Sequence, residues 1–510
     1  MAIIGKIIKT SSKAKFHRES GVAREYKSQI RTLFKLLDFA KDTNFGLKYG
    51  FEELLVNSAL VSQFQNTIPL TNYDQFYDDW LQKSIKGKRN HTWPGRIKHY
   101  ALSSGTSGAP SKRIPVTNQM IKSFQKTSVN QISTLHQLDL NDKVFSSKIL
   151  VVGGSSKLKK VENHYEGDLS GILKKNTSFI YNPFTKPGKK ITELTNWTEK
   201  LEQMVIKAPS WDIGIIAGVP SWCLLLIEKI IEVYKVKTIH DIWPNFELYI
   251  HGGVFIEPYL NKLESVSGKK VHLLDTYLSS EGYFAFQTSP EQEGMQLLVE
   301  NGNFYEFIPF TPEYFDADGN CLDTHFALTL NRVQVGVDYA MVITTNAGLW
   351  RYMIGDLVQF VNVKTYEVKI SGRIQQYLSL VGEHLSLNNI NVALKNINHQ
   401  LGVDLLEFCI VVDEKKGRHC WYIGSNTIKD KFMYVEQLDE ELMRINDDYK
   451  TCRKYNLSHP KIEILDPSVF YEFLEKIGKS GSQHKFPRVL NKVQAKKWIS
   501  FLKKGNIIRG

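Results

Sequence analysis

Apolar residues recur every three to four positions early in the chain. Ile30, Leu33, Phe34, Leu36, Leu37 and Ala40 line one helical face, and residues 10–90 read mainly as helix. The pattern breaks at Trp93-Pro94-Gly95, passes through a Ser/Gly-rich stretch, and returns to helical spacing over residues 116–140 (Met120, Ile121, Phe124, Val129, Ile132, Leu135). Compact apolar runs ending in small residues follow. They are Val144–Gly154, Ile213–Ala217 before Gly218-Val219-Pro220, Phe246–Ile250 before His251-Gly252-Gly253, and Val271–Tyr277 before Ser279-Ser280-Glu281-Gly282, with a helix predicted over Ser221–Tyr234. This alternation predicts βαβ units, with ligands held beyond the carboxyl ends of a mainly parallel sheet. From Met295 the segments shorten, Asn301-Gly302 predicts a hairpin turn, and Met341–Thr345 and Leu357–Val363 flank Gly355-Asp356, read as a turn between strands. After Ser371-Gly372-Arg373 come a helix (Asn388–Leu401), a hairpin-like pair (Leu405–Val412, His419–Gly424), a helix (Tyr434–Arg453), a strand (Lys461–Leu465) and a helix from Ser468. These segments predict a separate α+β domain, which divides the chain into residues 1–371 and 372–510.

Composition narrows the picture. At 510 residues the chain exceeds what one core accommodates, and 42% hydrophobic with 12% aromatic residues suffices for large cores. Long apolar runs are missing, so no membrane span is expected; the three apolar residues before Gly5 and Lys6 are too few for a signal-peptide core. Cys223, Cys321, Cys409, Cys420 and Cys452 are odd in number and scattered, which fits a reducing cytoplasm better than a disulfide framework. The net charge of +12 is spread along the chain, denser after Lys479; such a balance suits attraction of small anions, and nucleic-acid binding is not expected.

Chemistry concentrates in a few stretches. Ser103, Ser104, Gly105, Thr106, Ser107 and Gly108 pack hydroxyls and glycines together ahead of Lys112 and Arg113, a composition that lets backbone N–H groups and hydroxyls close on a phosphate chain. The spacing is not that of a Walker A loop, and a plain surface turn has the same composition. In Tyr277-Leu278-Ser279-Ser280-Glu281, the tyrosine suits a planar base, the serines a phosphate and Glu281 a hard cation such as Mg²⁺; taken alone, a core aromatic and a helix N-terminal charge are the commoner reading. Asp356 suits the two hydroxyls of a ribose or a simple turn, and Lys485, in Gly481–Arg488, either swings into a site or is solvated.

Taken in order, these stretches resemble the adenylate-forming superfamily of acyl ligases and luciferase. They resemble most the bacterial-type form of the Gretchen-Hagen-three (auxin-responsive) acyl acid amido synthetases. SSGTSG at Ser103–Gly108, YLSSE at Tyr277–Glu281, FYEFIP at Phe304–Pro309, LWRYMIGD at Leu349–Asp356, the Leu438…Asn446…Tyr449…Arg453 segment and GSQHKFPR at Gly481–Arg488 carry the likeness across almost the whole chain. The resemblance implies an α/β fold with a large N-terminal domain, of mainly parallel sheets plus a β-barrel-like part, and a small mobile C-terminal α+β lid. It implies that Ser103–Gly108, Lys112 and Ser280 hold ATP phosphates, that Tyr277 lies against adenine, and that Asp356 and Arg373 hold the ribose. Glu281 would bind Mg²⁺, and Lys485 would be the catalytic lysine. Met353 stands where plant members usually carry an additional Arg, so that phosphate or carboxylate contact is not carried over; Gln375 stands at the presumed hinge, where many superfamily ligases have an acidic residue or lysine, so no pivot residue is assigned.

The implied activity is ATP- and Mg²⁺-dependent adenylation of a carboxylic acid followed by acyl transfer to an amino acid, in a cytoplasmic monomer. Pro220, Trp222, Gly253 and Phe255, at strand ends, are the candidate acyl pocket; core packing accounts for the aromatics as well, and His251 reads as a structural histidine. The alternatives are a thioester-forming acyl-CoA ligase and, from another class, a nucleotide- or nucleic-acid-binding protein without turnover.

Overall fold

The computed structural model describes residues 22–103, 112–176, 183–316, 319–374, 378, 380, 383, 385, 387–478, 486–490 and 492–508. The amphipathic helix Val22–Ala40 buries Leu33, Leu36, Leu37 and Ala40, whereas Phe34 is 44% exposed, because a residue one position from Leu33 turns about 100° off that face. Short helices then wrap an aromatic cluster in which Phe45 stacks on Trp350 and Trp80 closes one side.

One twelve-stranded sheet organises everything up to residue 373. Five strands are parallel, in the spatial order Thr185–Lys186, Lys148–Val152, Ile213–Gly218, Leu248–Gly252 and His272–Ser279. Seven antiparallel strands continue it: Gly282–Phe286, Met295–Leu297, Glu367–Arg373, Tyr352–Asn362, Asp338–Thr345, Asn303–Pro309 and Leu328–Thr329. The two halves meet at a tight hairpin whose tip is Ser280-Glu281, where Gly282 pairs with Ser279. A second, four-stranded sheet pairs His99–Ser103 with Lys112–Val116 on one side and His164–Gly167 on the other.

Several local expectations are revised. Glu281 sits at a hairpin tip and not at a helix N-terminus, because the apolar run Tyr283–Phe286 extends as a strand. Asn301-Gly302 does not close a hairpin. The strand before it pairs with Gly282–Phe286 and Glu367–Arg373, the strand after it with Asp338–Thr345 and Leu328–Thr329. Gly302 (φ 87°) is needed there because Asn346 packs against its α-carbon. Val144–Ser146 forms a 3₁₀ turn ahead of strand Lys148–Val152, since the Ser146 and Ser147 hydroxyls donate to the Lys143 carbonyl at 3.0 and 2.8 Å. The helix predicted over Tyr434–Arg453 is two, Lys431–Ile445 and Asp447–Tyr455, split at Asn446, whose side chain caps the second through the Tyr449 N–H at 2.7 Å.

The C-terminal part has its own four-stranded sheet, ordered Lys461–Leu465, Arg418–Gly424, Glu407–Asp413, Val489–Leu490. Period-two alternation sends Phe408 and Ile410 into a core with helices Leu387–Leu401 and Lys431–Ile445, and Cys409 and Val411 into a second core with helices Ser468–Lys476 and Lys492–Lys504. Among the described residues no helix is long and apolar enough to cross a membrane.

Candidate active site

A cavity of about 1800 Å³ opens at the carboxyl ends of the parallel strands, bounded by the Ser280-Glu281 hairpin, the strand Tyr352–Asn362 and the C-terminal part. Ser103, Lys112, Tyr277, Ser280, Glu281, Asp356 and Arg373 all line it. These side chains come from sequence segments far apart, and the sheet register is what assembles them.

Asp356 lies within a strand and not in the turn expected for it. Ala340 pairs with Leu357 and Val342 with Met353, so Ile354-Gly355-Asp356 bulge opposite Met341, and Gly355 takes φ 89° at the bend. The bulge buries the carboxylate (7% exposed) and sets it in register with Arg373. Arg373 Nε donates to Oδ1 at 2.7 Å and the Tyr277 hydroxyl to Oδ2 at 2.9 Å. Tyr277 is buried, with its ring edge-on to Phe284 at 5.0 Å. Burial, and then the Asp356 charge, push its phenol well above the ordinary tyrosine range, so it remains a protonated donor.

Glu281 is equally buried. Its Oε2 accepts from the Ser279 hydroxyl at 2.8 Å, and the same hydroxyl oxygen accepts from the Glu281 N–H at 3.1 Å. Desolvation raises its carboxyl above the usual carboxylate range, the Ser279 bond lowers it, Asp356 adds to the rise and Lys112 opposes it. Lys112 faces this pair with its ammonium 5.0 Å from the Tyr73 ring centroid, and burial lowers its pKa against the pull of Glu281. The next residue serves structure: Arg113 Nε meets Glu166 at 2.6 Å, and Glu166 is also held by His164. Among the described residues no group of three or more His, Cys, Asp or Glu is placed to hold a metal ion. One buried carboxylate suits Mg²⁺ carried on a polyphosphate, since that ion takes one or two carboxylates and fills its shell with phosphate oxygens and water.

Ser104, Gly105, Thr106, Ser107, Gly108 and Lys485 lie outside the described residues. Their neighbours on the chain, Ser103 and Lys112 on one side and Phe486, Pro487 and Arg488 on the other, line the same cavity.

The four acyl-pocket candidates divide. Gly253 and Phe255 line the cavity. Pro220 opens helix Pro220–Tyr234, and Trp222, 4% exposed, packs edge-on to Trp197 at 4.6 Å and against Tyr471 of the C-terminal part at 5.3 Å. Its neighbours on that helix are apolar on nearly every side, so the ring turns into the core. The apolar wall is built instead by Val129, Ile132, Val151, Phe184 and Leu278, each 39–49% exposed and each lining the cavity. Helical periodicity placed Val129 and Ile132 on a core-facing stripe; the half-exposed state that marks them as lining is a tertiary property. Lys200, missed in the sequence, is buried at the cavity edge and donates to the carbonyls of Gly153 and Gly154 at 2.7 and 2.9 Å; burial lowers its pKa to about 8. His251 is buried and lines the cavity, and burial lowers its pKa to about 4.

The sequence matches the GH3 family N-terminal domain over residues 19–152 and 135–272, the GH3 family central domain over 296–373 and the GH3 family C-terminal domain over 388–494. It is 27% identical over 282 residues to jasmonoyl–L-amino acid synthetase GH3.5 of Oryza sativa subsp. japonica, a match covering 51% of this chain and 48% of that protein. The matched stretch spans about half the length of the curated relatives. Over its whole length the fold resembles a GH3.15 acyl acid amido synthetase (TM-score 0.76, 17% identity, 96% of this chain and 97% of the other). It also resembles a 2-hydroxyisobutyryl-CoA ligase in its postadenylation state (TM-score 0.64, 13% identity, 96% and 94%).

Proposed function

Because this chain belongs to the GH3 family and has the fold of adenylate-forming enzymes, we propose that it is an ATP- and Mg²⁺-dependent acyl acid amido synthetase. It joins a carboxylic acid to an amino acid through an acyl-adenylate. The observation that carries this reading is the convergence of the Tyr277–Asp356–Arg373 cluster, Glu281 and Lys112 on one cavity that also has an apolar wall. One side takes a nucleotide, the other the body of an apolar acid.

In the first half-reaction a carboxylate oxygen attacks the α-phosphorus and pyrophosphate leaves. Anion meets anion, so the protein's part is to hold the reactants in line and neutralise charge. In this reading Asp356 and Arg373 fix the ribose, Tyr277 backs the adenine, Ser280 and Lys112 hold phosphate oxygens, and the Ser103–Gly108 stretch wraps the chain. Glu281 would hold Mg²⁺, which would supply neutralisation of phosphate charge. Lys485 brings its ammonium to the α-phosphoryl group from the C-terminal domain (372–510), which rotates against residues 1–371 between half-reactions. A neutral amine then attacks the acyl carbonyl, AMP leaves and an amide remains. A cytoplasmic monomer belongs to the same reading.

The test is acid-dependent exchange of labelled pyrophosphate into ATP over a panel of acids that includes indole-3-acetic and jasmonic acid. Exchange with at least one acid, and AMP release on adding amino acids but not coenzyme A, is expected; release with coenzyme A instead selects the thioester-forming alternative. Lys485→Ala should lower exchange about a hundredfold while preserving the circular dichroism spectrum. Absence of exchange with every acid overturns the proposal.

A further inference from the structure

Resting on that reading, we infer that Tyr259 is a positioning residue that docks Arg488, and with it the C-terminal part, for adenylation. Tyr259 ends the turn Glu257–Tyr259 and is 2% exposed, with its ring in the core that contains Trp222, Trp243 and Tyr249. Its hydroxyl accepts a hydrogen bond from Arg488 Nη2 at 2.9 Å, across the junction with the C-terminal part.

Arg488 stands three residues after Lys485 in the chain. Its other partners among the described residues belong to its own side of the junction. Nη1 donates to Glu407 and, at 3.0 Å, to the Phe408 carbonyl, the guanidinium lies 4.5 Å from the Phe408 ring centroid, and the Arg488 carbonyl accepts from the Ile410 N–H at 2.8 Å. Phe486, 3% exposed, is clamped between Phe470 at 4.9 Å and Trp498 at 5.0 Å. The segment that follows Lys485 is therefore rigidly joined to the C-terminal sheet, and Phe486, Pro487 and Arg488 face the active cavity.

When the C-terminal domain rotates for aminolysis, Glu407 and Phe408 travel with Arg488 and Tyr259 stays behind. The phenol is a partner that the guanidinium keeps in one domain arrangement and loses in the other. A hydrogen bond from a charged donor is strong enough to bias such an equilibrium. The neighbouring Trp222–Tyr471 contact is apolar and non-directional, so it does not set the angle of docking.

Tyr259→Phe removes the acceptor and leaves the ring in its core. The variant should lower acid-dependent pyrophosphate exchange about tenfold in kcat, leave the KM for ATP unchanged, and leave aminolysis of the purified acyl-adenylate (made from the acid giving fastest exchange) within twofold of wild type. A second readout is independent of turnover. Spin labels at Val56→Cys and Phe432→Cys, two exposed positions, with Cys321 and Cys420 replaced by Ser, should show a broader distance distribution once Tyr259→Phe is added. Equal loss in both half-reactions, an unchanged exchange rate, or an unchanged distance distribution overturns the assignment. If the wild-type protein supports neither half-reaction, the synthetase reading fails and the spin-label distances alone decide the role of Tyr259 in docking.

Discussion

Asp356→Asn tests the nucleotide side of the cavity. The Asp356 carboxylate accepts from Arg373 at 2.7 Å and Tyr277 at 2.9 Å. A carboxylate offers about four lone-pair sites, so two remain for the two ribose hydroxyls. Asparagine has a single acceptor oxygen, and Arg373 occupies one of its lone pairs; the Tyr277 hydroxyl can turn to accept from the new amide. One ribose hydroxyl then loses its acceptor and the other meets a neutral oxygen. With about 1.5–3 kcal/mol for a charge-assisted bond and about 1 kcal/mol for a neutral one, the loss is about 3 kcal/mol, on the order of a hundredfold in Kd for ATP. Arg373, 40% exposed, keeps water for its freed charge, so the fold should persist. Titration calorimetry at fixed salt should be run with ATP and with 2′,3′-dideoxy-ATP on both proteins. The dideoxy analogue should bind the two equally, which isolates the carboxylate–ribose coupling. An equal loss for both nucleotides, or a change in ATP affinity below threefold, refutes the ribose role.

Two further predictions concern the frame that holds the site. Arg351 and Glu306 are both fully buried, and Arg351 also donates to the carbonyls of Gln65, Ile68 and His325. Arg351→Met should therefore destabilise by about 3–5 kcal/mol, read as a lower midpoint in urea, while adding Glu306→Met should recover most of it; a loss under 1 kcal/mol contradicts the pairing. His91 is buried against Trp80 with neither ring nitrogen hydrogen-bonded, and burial, aided by Lys88 and Lys83, lowers its pKa from 6.5 to about 4. The unfolded chain takes up that proton first as pH falls, so the contribution of His91 to stability should be level above pH 6.5, decline between 6.5 and about 4, and level off below. The decline is worth roughly 3 kcal/mol, and His91→Phe should flatten the corresponding fall in Tm; an unchanged slope rules it out.

The sequence revealed residue identities better than their geometry. Tyr277, Ser280 and Glu281 were legible because hydroxyls and a carboxylate follow an apolar run directly, yet the hairpin they form depends on pairing with Gly282–Phe286. Asp356 stood out beside Gly355, but glycine beside aspartate reads as a turn; the bulge exists because of how strand Asp338–Thr345 is registered against it. The Arg351–Glu306 pair joins residues 45 positions apart through strand register and has no local signature. Trp222 looked like a ligand contact because it follows a strand end, whereas it packs against Tyr471, 249 positions on, a distance no periodicity spans.

The strand pairing through the Ser280-Glu281 hairpin also constrains how the molecule can be made. Once residue 286 has left the ribosome, the strand Gly282–Phe286 has its neighbour His272–Ser279 on one flank but an open edge on the other. That edge is covered by the three residues Met295–Leu297, which in turn pair with Glu367–Arg373. Open strand edges recruit other chains, so the nascent polypeptide passes through some seventy further residues of synthesis with a surface suited to aggregation. Slow translation across that interval, or depletion of a chaperone that shields strand edges, should therefore reduce the yield of folded protein more than the same delay placed after residue 373.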